Sequence, residues 1–164
     1  MRALVTYGSK RGGTAGLAGM LATALRDRGM TVDLAPAAEV GPLGPYDLVV
    51  VGGALYAGRW HRDARRFVRR HRAELRQRPV WLFSSGPLGD DQQSPDIPPA
   101  RGVAALARRI GARGHTTFGG ALAPDAQGAM AHAIAARMAG DWRDPAAVDR
   151  FAGEIVHDLA VSRT

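Results

Sequence analysis

Near the start of the chain, Thr6 to Ala18 read TYGSKRGGTAGLA, which sets hydroxyls, two basic side chains and paired glycines between an apolar run and an amphipathic one. Such a turn suits an anion. The first amides of a helix have no intrahelical acceptor and the helix dipole is positive at that end, so a phosphate is favoured there. Ser9 and Thr14 add hydroxyl donors, while Gly12 and Gly13 let the backbone approach closely. Two other phosphate turns do not fit. Gly8 and Gly13 have the separation of a P-loop, but Thr14 stands where that motif needs lysine. The glycine spacing also departs from G-x-G-x-x-G, although Asp33 sits at about the distance of a ribose-binding acid.

Other chemistry is sparse. With no cysteine there is no disulfide, thiolate metal site or cysteine nucleophile, and a reducing cytoplasm is expected. His71, His115, His132 and His157 are scattered without a metal-ligand spacing, so no metal is predicted. No G-x-S-x-G elbow or other triad signature occurs. The opening MRALVTYG is too short for a signal peptide, and no stretch reaches the roughly 18 apolar residues of a membrane span.

The elements that must position the turn alternate along the chain. Arg2 to Tyr7 reads as a buried strand, and Leu17, Met20, Leu21, Ala24 and Leu25 form one face of a helix that Gly29 stops. Met30 to Ala35 is a second strand, and Tyr46 to Leu55 is nearly all apolar, as a central parallel strand is. Ala64, Phe67, Val68, His71 and Leu75 keep helical spacing. Pro79 to Ser84 is a fourth strand, followed by a long loop of turn-forming residues. Val103, Leu106, Ala107 and Ile110 mark another helix, Gly114 to Leu122 a weaker fifth strand, and Val148 to Leu159 a closing helix. Between these last two, Met130, Ala133, Ile134, Arg137 and Met138 predict a short extra helix against the domain edge. Strands separated by helices call for an α/β doubly wound parallel sheet. The 164 residues, 46% apolar and 23% charged, fit one domain, 1–164, with an extra helical insertion around 123–147.

GSKRGGT resembles the flavodoxin phosphate loop. A basic residue at the Lys10 position is similar to the menaquinone-dependent protoporphyrinogen dehydrogenase branch of flavodoxin-like proteins, as are residues 49–68, VVVGGALYAGRWHRDARRFV, and the closing FAGEIVHDL. The resemblance implies a flavodoxin-like five-stranded sheet of order 2-1-3-4-5, with FMN as cofactor and Ser9, Lys10, Arg11, Gly12, Gly13 and Thr14 around its phosphate. It implies an FMN-dependent oxidoreductase that takes electrons from protoporphyrinogen IX and passes them to a quinone, cytoplasmic and peripheral at the inner face of the membrane. The 123–147 segment is alanine-rich where that branch is richer in aromatic and basic residues, so porphyrinogen and quinone contacts do not carry over.

A flat apolar flavin needs aromatic cover at the carboxyl ends of the strands. The segment Ala54, Leu55, Tyr56, Ala57 and, beyond it, Trp60 leaves the third strand there, with Tyr56 the first choice to stack because it matches the flavodoxin stacking position. The other wall is expected from Ser84, Ser85, Gly86, Pro87, Leu88 and Gly89, whose amides would bond the pyrimidine edge. Flavin carries the redox chemistry, so no catalytic acid–base pair is required. Arg59 and His61 flank Trp60, and positive charge beside the ring would favour its reduced, anionic form.

Charge supplies a second theme. The chain carries +7 with a sequence pI near 11.1, and Arg62, Arg65, Arg66, Arg69, Arg70, Arg72, Arg76 and Arg78 crowd the second helix. That field favours acidic partners. An acidic redox protein or anionic lipid fits it; nucleic acid fits poorly because stacking aromatics are lacking. Two alternatives to the enzyme stay open: an electron-transfer flavodoxin docking an acidic redox partner, and a flavin-free flavodoxin-fold binding module. A deazaflavin in place of FMN also stays open.

Overall fold

A computed structural model describes residues 1–9, 12–56, 58–86, 99–119, 121–122, 140–141 and 144–163. The elements are β1 (Arg2–Gly8), α1 (Gly13–Asp27), β2 (Thr31–Pro36), β3 (Leu48–Tyr56), β4 (Arg59–Trp60), α2 (Arg62–Arg70), α3 (Arg72–Leu75), β5 (Val80–Ser85), α4 (Arg101–Ile110), β6 (Gly114–Phe118), β7 (Ala121–Leu122), β8 (Gly140–Asp141) and α5 (Pro145–Val161).

The main sheet runs β2-β1-β3-β5-β6, every neighbouring pair parallel, with β4 added antiparallel to β3. The five parallel strands have the expected 2-1-3-4-5 order. The sixth, β4, was not anticipated: Tyr56 pairs with Arg59 and Leu55 with Trp60, so the chain folds straight back at the end of β3. Ala-Gly between two short pairing runs was the available signal for this hairpin.

Side-chain alternation splits the core into two layers. Ala3, Val5, Leu48, Val50 and Phe83 point to the face covered by α1 and α5. Leu4, Val49, Val51, Val80 and Leu82 point to the face covered by α2, α3 and α4. All ten are at most 1% exposed, and each large one contributes about 1.5–3 kcal/mol by leaving water.

The arginine-rich helix is not continuous. His71, at φ −100° and ψ 19°, separates α2 from α3, and its buried ring lies 2.9 Å from Glu74 Oε1. Arg78, beyond α3, donates to the carbonyls of Leu43 and Tyr46, so it holds a loop rather than joining a solvated face. The extra helix predicted over Met130–Met138 lies outside the described residues. On either side of it, β7 pairs antiparallel with β8. Asp144 then caps α5, accepting from the Ala146 amide at 2.9 Å, with Pro145 in the first turn.

Candidate functional site

Parallel register brings the carboxyl ends of four strands level. Gly8 of β1 pairs with Gly53 of β3, which pairs with Ser84 of β5, and Ser84 pairs with Thr117 of β6. The chain leaves β1 and β3 for opposite faces of the sheet, so the crevice between their ends is where an open α/β sheet takes a ligand. The Ser9–Thr14 turn, the Tyr56 hairpin and the loop after Ser85 all start at this edge.

At the phosphate turn, Ser9 Oγ accepts from the Gly12 amide at 3.2 Å. Gly12 stands at the N-terminus of α1 with φ 85°, a left-handed conformation that L side chains rarely adopt. The first intrahelical bond runs from the Gly16 amide to the Gly12 carbonyl, so the amides of Gly13, Thr14 and Ala15 precede it. The first turn carries no acidic residue and no side-chain cap. Thr14 is 1% exposed, and among the described residues its Oγ1 has no hydrogen-bond partner. Lys10 and Arg11 lie outside the described residues.

At the hairpin, Tyr56 is 37% exposed and its ring meets that of His61 edge-on at 6.0 Å. Trp60 requires a correction. It is 2% exposed, lies against the face of Gly53 and donates from Nε1 to Ser84 Oγ at 2.8 Å, so it offers no ring face to a ligand. A Cβ on Gly53 would come within 2.5 Å of the indole, which explains the glycine. Ala54 is buried, and its carbonyl accepts from the His61 amide at 2.8 Å, while Leu55 pairs with Trp60. His61 is the cap of α2, accepting from the Asp63 amide at 3.2 Å. Arg59 is exposed opposite Tyr56. Ala57 lies outside the described residues.

At the second wall, one of the expected amides, that of Gly86, is already engaged within the fold. Ser84 Oγ turns inward, to Trp60 and to His115 Nε2 at 2.7 Å. The Gly86 amide is taken up by the Phe118 carbonyl at 2.9 Å, which leaves it unable to reach a pyrimidine edge. Ser85 is 7% exposed. Pro87, Leu88 and Gly89 lie outside the described residues. His115 was not singled out from the sequence, and no local signal marked it. Burial pushes its imidazole down to about 4, so it is neutral at pH 7.

With this geometry in view, comparison with protein-family models matches the flavodoxin domain over residues 4–158. The chain belongs to the flavodoxin-domain family. Flavodoxin-domain proteins are FMN-binding flavoproteins, and FMN is the cofactor that this membership assigns. Among solved structures, the chain is similar to a flavodoxin from Streptococcus pneumonia TIGR4, at 17% identity and TM-score 0.61, covering 96% of this chain and 99% of that one. Oxidised flavodoxin 1 from Bacillus cereus gives 13% and 0.63, covering 96% and 98%. Rubredoxin oxygen:oxidoreductase from Desulfovibrio gigas gives 15% and 0.54, with 94% of this chain matching 37% of that one. These similarities show the fold. Comparison with curated proteins found no match. The branch that oxidises protoporphyrinogen is not among these findings.

The residues of this flavodoxin domain fit FMN at the phosphate end. A cap-free helix N-terminus, an acid-free first turn and a buried hydroxyl without a partner form a donor set for a dianion. Among the described residues, no helix is long and apolar enough to cross a membrane.

Proposed function

We propose that the protein binds FMN between the Ser9–Thr14 turn and the Tyr56 hairpin and acts as a flavin-dependent oxidoreductase. Flavodoxin-domain membership supports the coarse role, FMN-linked electron transfer or oxidoreduction. The observation that carries the site is the Thr14 hydroxyl, buried and unpartnered in the first turn of α1. FMN supplies the redox chemistry when bound. The chain's own residues bind and orient it: the amides of Gly13, Thr14 and Ala15, with the Thr14 hydroxyl, hold the phosphate, Lys10 and Arg11 add charge, and Tyr56 covers the ring. Arg59, across the hairpin from Tyr56, keeps positive charge beside the ring.

The finer reading is oxidation of protoporphyrinogen IX with a quinone acceptor, at the cytoplasmic face of the membrane. It rests on the likeness of Lys10, residues 49–68 and the closing helix to that branch. A second reading, an electron-transfer flavodoxin for an acidic redox partner, is favoured by the arginines of α2 and α3. Adding FMN to the purified protein and recording its visible spectrum tests the common part. Bound-flavin bands with quenched fluorescence are expected; a spectrum identical to free FMN overturns it. Anaerobic turnover of protoporphyrinogen IX with a menaquinone analogue then separates the two readings.

A further inference from the structure

Between α2 and α4 runs a cleft of about 340 Å³, walled by Arg59, Arg65, Arg69 and Arg109 and floored by Val103 and Leu106. It continues into a second hollow of about 120 Å³ where Arg69, Arg72 and Arg109 meet Val68 and Ile110. Among the described residues, no acidic one lines either hollow. Among the described residues, Arg59, Arg69, Arg72 and Arg109 have no carboxylate within ion-pair distance, in contrast to Arg2, Arg28 and Arg113, which are paired with Asp33, Asp149 and Asp158. Arg65 and Arg69 lie one turn apart on α2, and Arg72, past the break at His71, joins Arg69 and Arg109 of α4 around the second hollow.

We infer that this cleft docks an acidic segment of a partner protein. Guanidinium forks match carboxylates in planar, two-point contacts, and five of them around an apolar floor suit a chain that presents carboxylates at intervals with small apolar residues between. Concavity argues against the flat surface of a bilayer. Trp60, the aromatic residue among the described ones that line the cleft, is only 2% exposed, too little ring surface for a base to stack on, which argues against single-stranded nucleic acid. Arg59, which pairs with Tyr56 in the hairpin, is part of the cleft wall, so a segment seated there lies beside the proposed flavin. The redox character of the partner rests on the FMN proposal; the docking itself does not.

Fluorescence anisotropy of a labelled peptide of alternating glutamate and alanine, titrated with the full chain before and after FMN loading, tests the docking. One triple variant, Arg69→Gln/Arg72→Gln/Arg109→Gln, removes cleft charge. A second, Arg66→Gln/Arg108→Gln/Arg163→Gln, removes the same charge from residues that line neither hollow. Loss of at least about tenfold in affinity for the first, against about threefold or less for the second, is expected from direct charge contacts. Equal losses would reduce the effect to net charge and overturn the inference. So would phosphatidylserine vesicles or a DNA duplex whose binding depends on the cleft variant more strongly than the peptide's does. Peptide docking that persists when the chain fails to take up FMN leaves the cleft standing and removes only the flavin.

Discussion

The indole of Trp60 and the hydroxyl of Ser84 are joined at 2.8 Å at the carboxyl-end edge of the sheet, and the same hydroxyl lies 2.7 Å from His115 Nε2. This buried chain ties the β4 hairpin to the ends of β5 and β6. It fixes the backbone that carries Tyr56 without itself meeting a ligand.

Ser84→Ala should therefore destabilise the protein by about 1–3 kcal/mol, because it leaves a buried indole N–H without an acceptor. Urea unfolding measures the loss. In a Trp60→Phe background the Ser84→Ala penalty should shrink, and additive penalties would show that the pair is not coupled.

His115 predicts an acid dependence. An unfolded imidazole takes up its proton near pH 6.5, whereas the folded one resists until about 4. Between these values the unfolded state holds more protons, so stability is full above about pH 6.5 and falls as the pH drops, by up to ~3 kcal/mol for this group. His115→Gln should flatten that part of the curve in urea titrations at pH 7 and pH 4.5.

Close approach predicts which glycines are irreplaceable for packing. A Cβ on Gly52 would stand 2.0 Å from Phe83 Cζ, and one on Gly53 2.5 Å from the Trp60 ring, with both aromatics buried. Gly52→Ala and Gly53→Ala should each cost about 1–3 kcal/mol or more. Gly41, with nothing within 4 Å of its would-be Cβ, should tolerate alanine within about 0.5 kcal/mol. Thermal unfolding of the three variants checks the ranking.

Thr14→Val separates binding from folding. It removes an unpartnered buried hydroxyl, so the flavin-free protein should keep its stability or gain up to ~1 kcal/mol. FMN should bind at least about tenfold more weakly, the loss expected for one hydrogen bond to a charged group. Fluorescence quenching gives the affinity and urea unfolding the stability. An unchanged FMN affinity would remove Thr14 from the site.

The parallel strands and the strand-to-helix turn that opens α1 were legible because each is written in contiguous residues. β3 announces itself through LVVVGGALY, and the stop of α1 through Gly29. The β4 hairpin was missed because two residues per strand are too few to show a period. The break at His71 was missed because helical apolar spacing continues through it while the ring turns to Glu74.

What the sequence alone determined was the alternation of strands and helices and the glycine- and hydroxyl-rich turn at the head of α1, since hydrophobic period, glycine and hydroxyl positions act over a few residues; the order of the strands came only from the resemblance to flavodoxins. Only the tertiary structure decided which aromatic lies inside and which outside. Trp60 and Tyr56 are four positions apart and both are offered by the sequence as cover for a ring, but Trp60 finds its acceptor 24 residues away and Ser84 its histidine 31 residues away. Burial of a polar tip depends on a partner brought by the fold, and no local pattern encodes that partner.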